Sequence, residues 1–475
     1  VRRVDGRFLA IDGITKDEAE AGSEMVGFSG HEIKSDAFST LPFNFVRPED
    51  KPAFGMLSEI ILLEMSTRAA RRNWAAAQLK NLLDHAWQRS RFWRDRLSAV
   101  GPKHRKLSKI PPLTREEVRR QISAEGSLLA ARDGVEVKDR MTSGSTGTPV
   151  RFYVTDANGI YNEIRSFAQM VLEGRDLRPN RCRLTFDPRK IGLDFKQSDN
   201  YAGYLSQIFS TGKNAEINYY NVEMDLIVDK LIKYRAGYIV CLPQFVEKLI
   251  SMKGEEVFSR IGIRNIFTYG QLMPEFIQSR LDKIGIRHSS NYSCEEVGPI
   301  GWECVHAKGH YHVCESNVIV EIGDKRETID GVTCGNVLVT GLHSYATPFI
   351  RYEPGDFARL LDRCPCGFDG PVLTDLFGRI ASTLKMPDGT RRPLHVSATF
   401  LGERIRYSDL RIRQIDGRRV TVEIAAEEAS PEERAKAEEF LRSVIGSSFD
   451  TEFTFVEEID WGPARKRNLF LNLHD

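Results

Sequence analysis

Residues 142–149 read Thr-Ser-Gly-Ser-Thr-Gly-Thr-Pro, a loop dense in hydroxyls and glycines whose natural ligand is a nucleotide phosphate. Gly144 and Gly147 let backbone N–H groups converge on one anion, and Ser143, Ser145, Thr146 and Thr148 add hydroxyl donors. A strand-like run, Val150-Arg151-Phe152-Tyr153-Val154, follows at once. The Gly-Lys-Ser/Thr ending of a Walker loop is missing and no helix opens directly behind it, so a generic kinase or ATPase fits poorly. Such residues also make polar surface turns. The ordered run of this composition nonetheless points to ATP.

A second grouping has the chemistry of a metal site. Of the eight cysteines, Cys304, Cys314 and Cys334, then Cys364 and Cys366, fall in one region, with His306, His310 and His312 beside the first. In a cytoplasmic chain this favours metal over disulfides. Zinc takes four thiolate and imidazole ligands in a closed structural site, which Cys304, His312, Cys364 and Cys366 would satisfy, with His310 or His306 as substitutes. Ordinary buried thiols are the alternative reading.

Further motifs come in a fixed order: Ile110-Pro111-Pro112-Leu113-Thr114-Arg115-Glu116-Glu117 upstream, then Tyr269-Gly270-Gln271, Asn291-Tyr292-Ser293-Cys294-Glu295-Glu296-Val297-Gly298, Arg351-Tyr352-Glu353-Pro354-Gly355-Asp356, Phe377-Gly378-Arg379, and Lys466 near the end. With the 142–149 loop, this order resembles the adenylate-forming (acyl-CoA synthetase-like) enzymes, and its context resembles their phenylacetate-CoA ligase and CapK-like branch.

The resemblance implies carboxylate activation. The acid attacks the α-phosphate of ATP, pyrophosphate leaves, and the acyl adenylate then acylates CoA. A site where anions meet needs a metal and fixed donors. By the same likeness Glu296 would help hold Mg²⁺ and Asp356 would accept the ribose hydroxyls. Arg379 would face phosphate or ribose, and Gly270, Gln271 and Tyr292 would line the adenine pocket. Lys466, with Arg465 as competitor, would reach the reacting carboxylate. Two positions depart from the pattern: Glu295 stands where Thr or Ser usually precedes the metal-binding glutamate, and Ser382 stands at the hinge in place of Asp or Lys. The branch commonly activates aromatic acids, for which Phe167, Tyr204 and Phe209 serve equally well as pocket wall or as core. An amine or other acceptor instead of CoA, or a non-catalytic nucleotide-binding relative, remains open.

The elements that must position these groups are legible from periodicity. Residues 1–55 lack a sustained pattern and read as an N-terminal extension. From Leu57 to about Leu97 the pattern is helical, and Trp74, Trp87, Phe92 and Trp93 read as helix packing. Thr114 and Glu117 form a capping box. Short apolar runs at Tyr238–Leu242 and Ile263–Phe267 alternate with helices, and strand-rich sequence follows at Ser316–Ile322 and Asn336–Thr340. Beyond Arg379, a hairpin turning at Asp416-Gly417, a helix started by Pro431 and a strand at Glu452–Val456 make a small α+β module. The expected fold is α/β: a large adenylating domain over 56–379 with mixed sheets and a strand-rich subdomain, its 304–366 segment braced by zinc, and a small mobile lid over 380–475.

With 475 residues and 41% apolar content the chain can bury a large core in two or three domains. A formal charge of +1 predicts no strong field for nucleic acid or anionic membrane. No apolar run approaches transmembrane length and no secretory signal is visible, so a cytoplasmic enzyme is expected, and the resemblance implies ATP and a small carboxylic acid as its partners. Composition leaves the oligomeric state open, a dimer included.

Overall fold

The computed structural model describes residues 3–4, 7–8, 46–101, 106–123, 127–131, 134–142, 149–186, 192–220, 222–379, 383–426, 428–461 and 469–474. The chain divides into two compact units, Val1–Lys51 and Pro52–Asp475. In the first, Arg3–Val4 pairs antiparallel with Arg7–Phe8.

The helical stretch expected from Leu57 to Leu97 is three helices, Lys51–Glu64, Arg68–Arg89 and Arg91–Val100. The breaks fall where side chains compete for backbone donors. Thr67 and Ser90 cap the second and third helices by accepting from Ala70 N and Trp93 N. Trp93 is fully buried and donates its indole N–H to Pro348 O at 3.0 Å, so this aromatic packs and does not stack on bases.

Among the described residues fourteen strands form one mixed sheet. One half is mainly parallel: Asn180–Thr185, Asn214–Asn218, Ala236–Cys241, Asn265–Thr268 and Arg287–Cys294, with Phe195–Ser198 antiparallel at the edge. Its strands carry apolar runs such as Ala236–Cys241 because helices cover both faces. The other half is antiparallel, running through Gly298–Glu303, Tyr311–Val313, Val372–Arg379, Asp356–Leu361, Val332–Gly341 and Val318–Ile329. The last two are longer than the sequence pattern suggests, because their ladder continues past a register shift between Ile322 and Arg326.

Strand Arg287–Cys294 is the seam. Its first residues pair parallel with Asn265–Thr268 and its last residues pair antiparallel with the strand that follows it. In open α/β sheets ligands bind beyond the carboxyl ends of strands where the winding changes. Tyr292 and Cys294 lie at that end of the seam, and Glu296 in the loop just past it.

Beyond 382, Thr383–Lys385 and Arg391–Pro393 form a hairpin that joins the large sheet at Ile329. A separate four-stranded sheet follows in the order Asp450–Val456, Arg419–Ala425, Asp409–Gln414, Phe470–Asn472. Alternating Leu410, Ile412, Val420, Val422 and Ile424 face helix Pro431–Ile445 in their own core. Gln414 ties this sheet to the hairpin by two 2.9 Å bonds with the backbone of Lys385. Among the described residues no helix is long and apolar enough to cross a membrane.

Candidate active site

The 142–149 loop bridges a hairpin in which Val137–Met141 pairs with Arg151–Thr155. Thr142 N donates to Val150 O at 2.9 Å and Val150 N to Thr142 Oγ1 at 2.9 Å, closing the loop at its base. Ser143, Gly144, Ser145, Thr146, Gly147 and Thr148 themselves lie outside the described residues, as do Ser382, Arg465 and Lys466.

Glu296 is buried in the turn that joins the seam to Gly298–Glu303. Gly298 closes that turn at φ +76°, a left-handed backbone that glycine adopts without strain. Glu296 Oε1 accepts from Tyr352 Oη at 2.5 Å and from Arg115 Nη1 at 3.2 Å. The same guanidinium reaches Tyr352 Oη at 3.4 Å and, through Nη2, Thr142 Oγ1 at 3.3 Å. One arginine thus connects the base of the hydroxyl-rich loop to the buried carboxylate. Burial, and next the Glu296 charge, push the Tyr352 phenol well above its ordinary value, so it remains a donor. The neighbouring Cys294 thiol is raised by the same two causes.

Backbone pairing sets Arg115 in place. Leu113 N donates to Arg351 O at 3.0 Å and Glu353 N donates back to Leu113 O at 2.9 Å. Arg351, in the left-handed region at φ 50°, donates through Nη1 to Ile110 O at 2.5 Å and through Nε to Glu321 Oε2 at 3.0 Å. Helix Arg115–Ser123 then starts at the expected capping box, with Glu117 N donating to Thr114 Oγ1 at 3.2 Å and Thr114 N to Glu117 Oε2 at 2.9 Å.

Asp356 opens strand Asp356–Leu361 and accepts from Tyr292 Oη at 2.6 Å. Its backbone partner across the ladder is Arg379, whose side chain is outside the described residues. Tyr292, Asp356 and the backbone of Arg379 are therefore brought together from three separate motifs. Gly270 and Gln271 follow strand Asn265–Thr268 on an exposed turn, with Gly270 at φ +76°.

A cavity of about 30 Å³ opens beside Glu296, bordered by Tyr153, Asn158, Tyr161, His343, Thr347 and Phe349. Glu295 also borders it and is exposed where Glu296 is buried. The suggested wall residues do not line it. Phe167 is buried against Phe209, with ring centroids 5.0 Å apart, and Tyr204 is exposed. The reason is helical phase: along helix Asp156–Leu172, Asn158, Tyr161 and Asn162 share the cavity face, whereas Ile164, Phe167 and Ala168 share the core face. His343 Nε2 donates to Ser316 O at 3.0 Å, and burial lowers its pKa to about 4.

Away from this site, Cys304, His312, Cys364 and Cys366 present their ligand atoms within 4.8 Å of one another. His306 and His310 are not members of that group.

Arg115 and Thr142 lie within the 110–117 and 142–149 motifs, and their roles come from the structure alone. No local signal marks Arg115, whose helix already holds Glu116 and Glu117 in its first turn.

No protein-family model and no curated protein matches the chain. Solved structures do. A 2-hydroxyisobutyryl-CoA ligase in its postadenylation state with 2-HIB-AMP matches at TM-score 0.59 and 15% identity over 86% of this chain and 91% of that one. The same ligase with 2-HIB-AMP and CoA in the thioesterification state matches at TM-score 0.54 and 15% identity, with the same coverage. A weaker likeness, TM-score 0.43 and 13% identity over 69% of this chain and 67% of that one, is to O-succinylbenzoate coenzyme A synthetase from Bacillus subtilis. The first two place the chain in the fold of an adenylate-forming CoA ligase.

Proposed function

We propose that this chain, which has the adenylate-forming ligase fold, activates a carboxylic acid with ATP, releases pyrophosphate and passes the acyl group from the adenylate to CoA. The observation that carries the reading is the convergence of Glu296, Arg115 and Thr142 at the base of the hydroxyl-rich loop, with Tyr292 and Asp356 also at this end of the sheet. Among the described residues both contacts of Glu296 fall on Oε1, which suits a carboxylate that offers its other oxygen to Mg²⁺. Magnesium keeps several waters and takes one or two carboxylates plus phosphate oxygens, so Glu296 together with the triphosphate fits it. The ion would neutralise charge as the acid meets the α-phosphate.

In this reading the loop 143–148 cradles phosphate and Asp356, oriented by Tyr292, accepts the ribose hydroxyls. Gly270 and Gln271 border adenine, while Arg379, whose backbone pairs with that of Asp356, is proposed to face phosphate or ribose. Lys466 would be delivered by a lid over 380–475. The acid is proposed to be aromatic, as the resemblance implies; Tyr153, Tyr161 and Phe349 border the cavity beside Glu296, which at about 30 Å³ would have to widen to admit a ring. CoA is the proposed acceptor because the ligase with the same fold was solved with it.

Pyrophosphate release from MgATP is the test, with a panel of aromatic and aliphatic acids, each with and without CoA. Release dependent on one acid and accompanied by thioester formation supports the full reading. Release without thioester reassigns the acceptor, and no release with any acid overturns adenylation. Glu296→Gln is expected to lower release at least a hundredfold, on the scale of losing one transition-state stabilising group.

A further inference from the structure

We propose that Cys304, His312, Cys364 and Cys366 bind one Zn²⁺ as a closed structural centre, and that this ion fixes the 304–311 loop as one wall of a second cavity, apart from Glu296.

The four donors come from neighbouring strand ends. Cys304 follows directly on Gly298–Glu303, and His312 lies in Tyr311–Val313, paired with Trp302 on one side and Val372 on the other. Cys364 and Cys366 occupy the turn between Asp356–Leu361 and Val372–Arg379. That turn is tight: Gly367 N donates to Cys364 O at 3.0 Å, Cys364 N to Phe368 O at 3.0 Å, and Gly367 sits at φ +98°. Chain direction therefore aims three sulfurs and one imidazole at a common point.

The distances suit zinc. All four ligand atoms lie within 4.8 Å of one another, and Cys366 Sγ is 3.5 Å from His312 Nε2. With Zn–S near ~2.3 Å, tetrahedral geometry sets sulfur–sulfur edges of about 3.8 Å, so only a small contraction is needed. The imidazole is held in orientation by stacking on Phe368, centroids 4.3 Å apart and planes 13° from parallel. Three thiolates and an imidazole leave no open position, which makes the site structural.

Arg68 and Arg71 reach the 362–369 turn through Asp362 and Asp369 O, but the apolar packing around the four donors is small. Their apolar cluster consists of Cys304, Cys364 and Val372, with Ala307, Leu361 and Phe368 against it. So small a core calls for a cross-link, and all the cysteines are free thiols. The same loop supplies Lys308, Gly309 and His310 to a cavity of about 430 Å³ whose other borders include Leu272, Met273 and Arg359. Lys308 Nζ donates to His288 O at 2.6 Å, and Gly309 N to Glu303 Oε1 at 3.1 Å, so the wall is set against the sheet once the metal closes the loop.

Elemental analysis of the purified full chain is expected to give one zinc per chain, and Co²⁺ substitution a coloured thiolate–cobalt spectrum. Cys366→Ser and His312→Gln should each lower the zinc content at least tenfold, while Cys334→Ser, a buried thiol in a different cluster, should retain it. Chelation should raise hydrogen exchange at 304–312 and 362–371 at least tenfold and leave 236–241 unchanged. Absence of zinc in protein that also takes up none from a zinc buffer would overturn the site. So would thiol counting that finds a disulfide among Cys304, Cys364 and Cys366. Unchanged exchange after zinc removal would overturn the wall-fixing role. None of these readouts depends on adenylation.

Discussion

Tyr352 and Glu296 form a buried hydrogen bond, Oη donating to Oε1 at 2.5 Å, between a residue of the antiparallel half and the turn at the end of the seam. Because the acceptor is a carboxylate shielded from water, Tyr352→Phe should cost about 1.5–3 kcal/mol of stability. It should also change the Mg²⁺ dependence of pyrophosphate release. Denaturant midpoints and a Mg²⁺ titration check both. Unchanged values in both experiments would remove Tyr352 from the support of Glu296.

Arg115→Met leaves Glu296 buried beside a hydrophobe. Breaking a buried ion pair from one side costs about 3–5 kcal/mol, and the partial exposure of Arg115 puts this variant near the lower end. The pair Arg115→Met with Glu296→Gln should recover part of the loss. A double-mutant cycle in urea reads the coupling, and simple additivity would contradict it.

Asp356→Asn keeps the shape but halves the acceptor capacity offered to ribose. The KM for ATP should rise about tenfold, equivalent to about 1.4 kcal/mol, with kcat changing less. Tyr292→Phe removes only the 2.6 Å bond that orients Asp356, so its effect should be smaller and in the same direction. Steady-state kinetics at varied ATP separates the two.

Acidification should destabilise the protein through the buried His288 and the partly buried His343. Burial lowers His343 to about 4 and His288 to about 3. Above about pH 6.5 neither state binds the proton, and the full stability is present. As pH falls below that, the unfolded chain takes up protons that the folded chain refuses, and each group costs about 1.4 kcal/mol per pH unit. The His343 contribution levels off near pH 4 and that of His288 near pH 3. Glu64 and Glu321, both raised by burial, act in the opposite sense. The comparison therefore needs His343→Gln: between pH 6.5 and 5 it should lose about 2 kcal/mol less than the parent. Equal losses in urea titrations would contradict the assignment.

Local signals carried far in this chain. The capping box at Thr114 and the alternation of Val420, Val422 and Ile424 are short-range patterns, and both stand in the structure. The grouping of cysteines and histidines around the Cys364-x-Cys366 pair points to Cys304, His312, Cys364 and Cys366, with His306 or His310 as substitutes, and those four converge in the structure. The cavity walls were not legible, because whether Phe167 or Tyr161 faces the site depends on the rotation of one helix against the sheet. Arg115 was missed for a different reason. Its partner Glu296 is 181 positions away, and no local pattern encodes a contact at that range.

The distances along the chain also bear on how the protein reaches its native state. Arg115 and Tyr352 are 237 positions apart yet meet at 3.4 Å, and Glu296 joins them from the seam between the two halves of the sheet. Closing loops of that length costs entropy before any contact repays it, and non-local pairings of this kind slow folding. The carboxylate is thus assembled only when both halves have condensed around the seam. A nucleotide that binds only the assembled state would stabilise it by about 2.7 kcal/mol at a hundred times its Kd, so the ligand would favour contacts between segments far apart in the chain.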